Sequence, residues 1–205
     1  MRKRTRLILI RHGETEWNKN LRFQGHMDIP LSEEGREQAR KLALRLSTEK
    51  FDAAYASDLS RASETAQAVA DYHNLEVKLK PELKEINFGQ WEGLTHQEID
   101  SKYPESMAKW LSDPKETRIP GGESMNEVAQ RCKAGISGIL ADNANKNVLV
   151  VAHGGVLRIV VAQALGIELN NYWKFRLDNV SLNIIDYYDN GRTILNCLND
   201  TSHLQ

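Results

Sequence analysis

The stretch Leu7-Ile8-Leu9-Ile10-Arg11-His12-Gly13-Glu14-Thr15 decides how the rest of this sequence is interpreted. Its first four residues are aliphatic and predict a fully buried strand. A cation, a titratable nitrogen and a flexible backbone position then follow in immediate succession. In open α/β sheets, ligands bind at the carboxyl ends of the strands. We therefore expect Arg11 and His12 to belong to an anion-binding catalytic site.

A second histidine follows a second apolar run. Residues 148–152 are all aliphatic, and His153, Gly154 and Gly155 come directly after them. Two such strand ends can lie side by side in a parallel sheet, with both histidines facing one pocket. The repeated design favours a shared functional site over the alternative, in which each histidine is an ordinary core or surface residue.

Length and composition describe an ordinary globular chain. Its 205 residues suit one domain with a substantial core, and we expect that domain to span residues 1–205. The formal net charge of −1 gives no basic excess that would indicate a nucleic acid partner. No apolar stretch is long enough to span a membrane, and the short run after the basic start is broken by Arg11 and His12, unlike a signal peptide. The basic start itself, at Arg2, Lys3, Arg4 and Arg6, is expected to be frayed and solvated.

The cysteines and histidines argue against a metal site. Cys132 and Cys197 lie far apart, which fits a reducing cytoplasm better than a disulfide framework. The six histidines are scattered, without a His-Glu-x-x-His spacing. We therefore expect neither a metal nor another cofactor, and His26, His73, His96 and His203 are interpreted as surface, capping or structural residues.

Strand and helix patterns alternate along the chain, as is typical of an α/β protein with a mostly parallel sheet. A helix is predicted over residues 33–46 with Ser32 as its cap, and another begins near Ser57 with Arg61 in its first turn. Residues 88–123 are predicted to form a lid-like insertion. Alternating segments at 181–187 and 193–198 predict an edge hairpin, which is either shielded or pairs with a second copy in a homodimer.

The groups that can converge at the strand ends form a set suited to phosphate chemistry. Arginines bind a phosphate dianion in bidentate fashion and disfavour protonation of a neighbouring imidazole. A neutral His12 could then attack phosphorus and become phosphohistidine. His153 is a candidate donor to the equatorial oxygens, and a carboxylic acid must protonate the leaving group. The set comprises Arg11, His12, Arg61, Glu85 and His153.

Chemical reasoning alone does not identify which glutamate is the acid. Glu82, Glu92 and Glu98 are local competitors of Glu85, and most glutamates are solvated surface charges.

The octet from Arg11 to Asn18 resembles the signature of the histidine phosphatase superfamily, in its phosphoglycerate mutase-like branch. The resemblance extends to the Phe23-Gln24-Gly25 loop, to residues 55–66, 83–93 and 120–124, and to the His153 segment. It implies a three-layer αβα sandwich with one mixed sheet. It also implies that His12 is the phosphorylated nucleophile and that Glu85 is the proton donor. The phosphate pocket it implies consists of Arg11, Asn18, Arg61 and His153, with further contacts from Gln24, Gly25 and Gly154.

Within the superfamily, the length and the ending at residues 198–204 resemble the bacterial phosphatases. That group includes α-ribazole phosphatases, which act in cobalamin nucleotide-loop assembly, and broad-specificity enzymes. The resemblance thus implies a metal-independent hydrolase of small phosphomonoesters, with α-ribazole 5′-phosphate as the leading named substrate. Two alternatives stay open: a 2,3-bisphosphoglycerate-dependent phosphoglycerate mutase, and a non-catalytic phosphate-binding protein. Trp91, Tyr103 and Trp110 are either contacts for an aromatic substrate or simple packing residues.

Overall fold

The strands of the protein form a single sheet, described here in a computed structural model that covers residues 3–205. Arg2 of the predicted basic start lies outside this range. The strands, in chain order, are β1 (Arg4–Arg11), β2 (Ala53–Ala56), β3 (Val77–Leu79), β4 (Asn147–Ala152), β5 (Leu182–Tyr188) and β6 (Thr193–Asp200). Their order across the sheet is β3-β2-β4-β1-β5-β6. The first four in that order are parallel, while β5 and β6 are antiparallel to their neighbours, so the predicted mixed, mostly parallel sheet is confirmed.

Helices cover both faces of this sheet. They are α1 (Glu16–Lys19), α2 (Glu33–Leu46), α3 (Ser60–Ala70), α4 (His96–Lys102), α5 (Pro104–Ser112), α6 (Met125–Asp142) and α7 (Gly154–Leu165). Short 3-10 turns occur at Asp71–His73, Pro81–Leu83, Gly89–Trp91, Leu169–Lys174 and Ser202–Leu204. No helix within residues 3–205 has the length and apolar character needed to cross a membrane.

The alternation of side chains along β1 explains the three layers. Leu7 and Leu9 join a buried cluster with α6 and α7, whereas Ile8 and Ile10 join a second cluster with α2 and α3. Successive strand residues point to opposite faces of a sheet, so an unbroken aliphatic run requires cover on both sides. The predicted αβα sandwich is confirmed on these grounds.

Strands β1 and β4 are parallel neighbours, with Arg11 paired opposite Ala152. The backbone N–H of His12 donates to the Ala152 carbonyl at 3.0 Å, which continues the ladder one residue beyond β1. The two histidines therefore leave adjacent strand ends at the same edge of the sheet, as predicted.

Several element boundaries follow the capping chemistry of the sequence. Ser32 caps α2, which spans the predicted residues, and Thr95 and Ser124 begin α4 and α6 with complete capping boxes. Helix α7 begins at Gly154 and ends at Leu165, and its C-cap Gly166 adopts a left-handed conformation with φ of 66°. Strands β5 and β6 form the predicted hairpin, and β6 is the edge strand.

The prediction of a frayed basic start was wrong for Arg4 and Arg6. Strand β1 begins at Arg4, because Asp186 on β5 binds both guanidinium groups, with Arg6 Nε at 2.7 Å and Arg4 Nη1 at 3.5 Å. Asp186 lies far from both arginines along the chain, so no local sequence pattern predicts this contact.

The segment predicted as an insertion, residues 88–123, contains α4 and α5 and packs onto the core through aromatic side chains. Trp91 and Trp110 are buried and meet edge to face, with ring centroids 5.5 Å apart. Phe23, from the loop after α1, contacts both rings in the same manner. Trp91 is therefore a packing residue, whereas Trp110 also borders the pocket described below.

Candidate active site

A pocket of about 400 Å³ opens where β1 and β4 end. Of the predicted catalytic groups, four line it directly: Arg11, His12, Arg61 and Glu85. Asn18, Gln24 and Gly154 line it as well. Two of the predicted residues do not line the cavity, namely His153, whose ring lies against that of His12, and Gly25, whose carbonyl accepts a hydrogen bond from Arg61.

His12 is buried and held in one orientation. Its Nδ1 lies 2.6 Å from the carbonyl oxygen of Gly13. A carbonyl only accepts hydrogen bonds, so Nδ1 carries the proton and Nε2 keeps its lone pair in the neutral ring. Burial, and then the charges of Arg61 and Arg11, hold the pKa of His12 well below 6.5. The site therefore contains a neutral imidazole with a free nitrogen at neutral pH.

Arg11 and Arg61 supply the positive charge. Arg11 Nη1 donates to the Leu177 carbonyl at 2.8 Å, and burial lowers the pKa of Arg11 to about 10, so the group stays charged at neutral pH. Arg61 donates to the carbonyls of Met27 and Gly25 at 2.9 and 2.8 Å. The Nε of each arginine is buried without a hydrogen-bond partner in residues 3–205. Such donors are costly unless a ligand or water satisfies them.

His153 adds two further unsatisfied nitrogens. Its ring lies against that of His12, with centroids 5.1 Å apart, and neither Nδ1 nor Nε2 has a partner in residues 3–205. Burial, with the charge of Arg61 next, lowers the pKa of His153 well below 6.5, so the ring is neutral and carries one N–H. It can donate one hydrogen bond to an anion that reaches past His12.

Glu85 is the one glutamate of the four candidates that lines the pocket. Its carboxylate accepts hydrogen bonds from the backbone N–H groups of Gly155 and Val156 at the start of α7, each at 3.1 Å. The Ile86 N–H also donates to it, at 2.9 Å. A carboxylate at a helix N-terminus is placed by the free amides of the first turn.

The competing glutamates have structural roles or lie elsewhere. Glu92 accepts from the N–H groups of His26 and Met27 and so holds the loop that bears Gly25. Glu98 completes the capping box of α4 and pairs with Arg22. Neither borders the pocket, nor does Glu82. Of the four glutamates, only Glu85, which the resemblance implies to be the acid, therefore lies in the pocket.

Two glycines of the site lie at close approaches to other side chains. A Cβ at Gly154 would lie 3.3 Å from Arg11 Nε, so the missing side chain lets that guanidinium reach the start of α7. At Gly25, where φ is +52°, a Cβ would lie 2.0 Å from Glu92 Oε1. Gly25 therefore serves the site indirectly, because its carbonyl fixes Arg61.

Asn18 and Gln24 are polar groups on the pocket wall. The Asn18 Oδ1 accepts from Thr15 and from Asn179 Nδ2, so its Nδ2 is the end that is left for a ligand. Gln24 is buried, and its Oε1 has no partner in residues 3–205.

Three residues that contribute to the site were not predicted from the sequence. Arg131, on α6, donates to the carbonyls of Glu82, Lys84 and Glu85 and so fixes the segment that carries the acid. Asn179 Nδ2 donates to the His12 carbonyl at 2.9 Å. Arg158, on α7, lines the pocket. Its position four residues after Gly154 was an available signal, since residues spaced i,i+4 share a helix face.

Within residues 3–205, no three side chains of histidine, cysteine, aspartate or glutamate are grouped so as to hold a metal ion. The pocket's charged donors are guanidinium groups and its histidines are neutral, a combination that suits an oxyanion rather than a cation.

Fold and site together define an α/β protein with a cationic, histidine-bearing pocket at the carboxyl ends of parallel strands. The chain belongs to the histidine phosphatase superfamily (branch 1), whose sequence profile matches residues 7–201. It is 38% identical to phosphoserine phosphatase 1 of Hydrogenobacter thermophilus over 97% of this chain and 94% of that protein. It is 35% identical to the adenosylcobalamin/α-ribazole phosphatase of Escherichia coli over 88% of this chain and 89% of that protein. Among solved structures, Bacillus stearothermophilus YhfR is similar with a TM-score of 0.92 and 34% identity, covering 98% of this chain and 100% of that one.

Proposed function

We propose that this protein hydrolyses small phosphate monoesters through a phosphohistidine intermediate on His12. The observation that carries the proposal is the hydrogen bond from His12 Nδ1 to Gly13, which leaves Nε2 unprotonated beside two buried arginines with unsatisfied Nε–H groups. That arrangement combines a nucleophile and an oxyanion site in one pocket.

Binding places the phosphate among Arg11, Arg61 and His153, whose unpartnered nitrogens then gain acceptors. Asn18 Nδ2, Gln24 and the Gly154 amide are the proposed further contacts. The bound oxyanion brings negative charge into a pocket whose lining within residues 3–205 has Glu85 as its one acidic side chain and several cations. Charge-assisted hydrogen bonds of this kind are the strong ones.

In the first step, His12 Nε2 forms a bond to phosphorus and the bond from phosphorus to the ester oxygen breaks. The leaving oxygen takes the electron pair of that bond together with a proton from the Glu85 carboxyl, and the alcohol departs. Arg11 and Arg61 stabilise the charge on the equatorial oxygens during the transfer.

In the second step, the Glu85 carboxylate removes a proton from water, and the water oxygen bonds to phosphorus while the bond to Nε2 breaks. Inorganic phosphate leaves and both side chains return to their starting states. The backbone donors at the start of α7 hold the carboxylate in place for both transfers.

The names of two relatives specify substrates, and we include both substrates in the proposal. α-Ribazole 5′-phosphate is supported by the likeness to the E. coli enzyme and by the aromatic pocket wall at Phe88 and Trp110. Phosphoserine is supported by the likeness to the Hydrogenobacter enzyme. Mutase activity is the alternative chemistry, because the same phosphohistidine can return its phosphate to a reoriented acceptor.

We propose a cytoplasmic location, on the ground that Cys132 and Cys197 are both free thiols. The edge strand β6 is the surface we propose for a homodimer, since an edge presents unpaired backbone groups. Sedimentation of the purified protein, with Leu198→Lys as a disrupting variant on β6, tests the dimer. A single monomeric species in the unaltered protein would rule it out.

The test of the function is steady-state hydrolysis without added metal. The substrates are α-ribazole 5′-phosphate, phosphoserine, 3-phosphoglycerate and p-nitrophenyl phosphate, with phosphoglycerate interconversion measured in parallel using 2,3-bisphosphoglycerate. We expect release of inorganic phosphate and a phosphoenzyme trapped by rapid acid-free quenching. Efficient interconversion with little phosphate release would replace the phosphatase by a mutase while the His12 chemistry stands. Phosphate binding without any turnover would favour the non-catalytic alternative.

A further inference from the structure

Arg158 is a second source of positive charge in the pocket, separate from the phosphate site. It lines the cavity from α7, and its Nε is buried without a hydrogen-bond partner in residues 3–205. The salt bridges formed by these residues do not include it. Arg22, the other additional cation of the wall, is by contrast occupied by the Gly93 carbonyl and by Glu98. Arg158 is thus a pocket cation that forms no salt bridge within residues 3–205.

Aromatic side chains fix the position of Arg158 from one side. Its guanidinium carbon lies 5.8 Å from the centre of the Trp173 ring, within the range of a cation–π contact. Trp173 in turn packs edge to face on Trp110, with ring centroids 4.7 Å apart. A planar guanidinium held against a ring keeps its N–H edge available for a planar acceptor.

Tyr172 stands beside Arg158 in the same wall. Burial raises the pKa of Tyr172 well above 10, so its hydroxyl keeps its proton and can donate. The charge of Arg158 also lowers the pKa of Arg11, which indicates that the two cations lie near each other. A substrate with a second negative group would offset that repulsion.

The helix geometry sets the distance between the two anion sites. Arg158 follows Gly154 by four residues, just over one helical turn, which is a rise of about 6 Å. Helical side chains lean toward the N-terminus of their helix, which here is the catalytic end. An anion bound to Arg158 would therefore lie only a few bonds from the phosphate.

We propose that Arg158 forms a carboxylate-binding subsite with Trp173 and Tyr172, and that the natural substrate is the phosphate ester of a short hydroxy acid or hydroxy amino acid. This inference rests on the proposed phosphatase activity and deepens it by naming the leaving group. A neutral leaving group, such as the nucleoside of α-ribazole 5′-phosphate, would leave Arg158 unpaired in the complex.

The experiment compares each acid with its counterpart that lacks the carboxylate: phosphoserine with phosphoethanolamine, and 3-phosphoglycerate with glycerol 3-phosphate. A hydrogen bond to a charged group corresponds to about a 10-fold or larger preference in kcat/KM for the acid. Arg158→Met is expected to reduce that ratio by about the same factor, mainly by raising KM for the acid. Arg158→Lys keeps the charge but loses the planar fork, so an intermediate ratio is expected. Arg22→Met is the matched control, and the ratio should be unchanged in it.

The outcomes separate this inference from the proposed function. Turnover of both esters in each pair at equal kcat/KM, or a preference for α-ribazole 5′-phosphate over phosphoserine, would overturn the inference and leave the phosphatase intact. If the folded, unaltered protein hydrolyses none of these esters, the proposed phosphatase activity is overturned. In that event, calorimetric affinities of the His12→Ala variant for phosphoserine and phosphoethanolamine decide whether the subsite exists. If Arg158→Met does not fold, the preference of the unaltered protein and the Arg158→Lys ratio decide the question.

Discussion

Gly155 and Glu85 are in such close contact that any side chain at the glycine would have to displace the ends of the Glu85 and Ile86 side chains. A Cβ at Gly155 would lie 2.7 Å from Glu85 Oε1 and 2.8 Å from Ile86 Cδ1. The same residue's N–H donates to Glu85 Oε2 at 3.1 Å. The proposed acid is therefore placed both by a backbone donor and by the absence of a side chain.

Gly155→Ala should displace the carboxylate and lower kcat/KM for alkyl phosphates by about 10-fold or more, since general acid catalysis contributes about 100-fold or more. Hydrolysis kinetics measure the loss of activity, and thermal unfolding measures the change in stability. Gly138→Ala is the control, because a Cβ there meets nothing within 4 Å. It should leave activity unchanged and stabilise α6 by up to about 1 kcal/mol. Equal activity of both variants would contradict the placement of Glu85.

Glu85→Gln should divide the two chemical steps. A good leaving group such as p-nitrophenolate departs without a proton, so phosphorylation of His12 continues while attack by water slows. We expect a burst of p-nitrophenol and an accumulated phosphoenzyme, with steady-state turnover of phosphoserine lower by about 100-fold or more. Glu98→Gln, outside the pocket, is the control. A phosphoenzyme level equal to that of the unaltered protein would remove Glu85 from the second step.

His12→Ala should abolish both turnover and the phosphoenzyme, with a fall in kcat of about 1,000-fold or more for loss of a nucleophile. Rapid-quench trapping with labelled substrate measures the intermediate directly. His96→Gln, on exposed α4, is the matched control and should behave like the unaltered protein. Labelled protein in the His12→Ala variant would place the nucleophile elsewhere.

The acid limb of kcat/KM should lie well below pH 6.5. Turnover requires neutral His12, and burial with Arg61 and Arg11 holds the pKa of that imidazole below its ordinary 6.5. Activity is therefore retained as the pH falls through 6.5 and is lost only at the lowered pKa. Arg61→Met removes the largest of the charge effects and should move the limb upward. A limb at or above 6.5 in the unaltered protein would contradict a desolvated, neutral His12.

Stability has the same sign of pH dependence. His12 and His153 both have lowered pKa values in the folded protein. As the pH falls below about 6.5, the unfolded chain binds protons at these histidines before the folded chain does. The free energy of unfolding should therefore decrease from about pH 6.5 down to the folded pKa values. Urea unfolding between pH 7 and 5 measures the change, and a constant free energy over that range would contradict it.

The sequence patterns predicted the sheet, the adjacent strand ends and the start of α2 because these depend on local periodicity and on short-range hydrogen bonds. Ser32 is an example, since its own side chain caps the helix. Arg131 was not predictable in the same way. Its partners are carbonyls some 46 to 49 residues distant, and only the packing of α6 against the Glu85 segment brings them together.

Arg158 and Asn179 also could not be assigned to the site from local sequence patterns. In sequence, Arg158 is the one charged residue in an otherwise mostly apolar helix, and its entry into the pocket depends on how α7 is rotated about its axis. Asn179 reaches the His12 carbonyl from 167 residues away. Glu85 was distinguished from its neighbours by resemblance alone, and hydrogen bonds from the amides of α7 explain why its side chain is held in the pocket.

The unsatisfied buried nitrogens of Arg11, Arg61 and His153 have a consequence for evolution of this chain. Each is a polar group that folding removes from water without supplying a hydrogen-bond partner within residues 3–205, so the folded state is less stable than the same scaffold with apolar residues at these positions. Random substitutions that raise the melting temperature should therefore concentrate around this pocket and should abolish activity. A lineage released from selection for catalysis would be expected to lose these residues first and to become more robust as it does so.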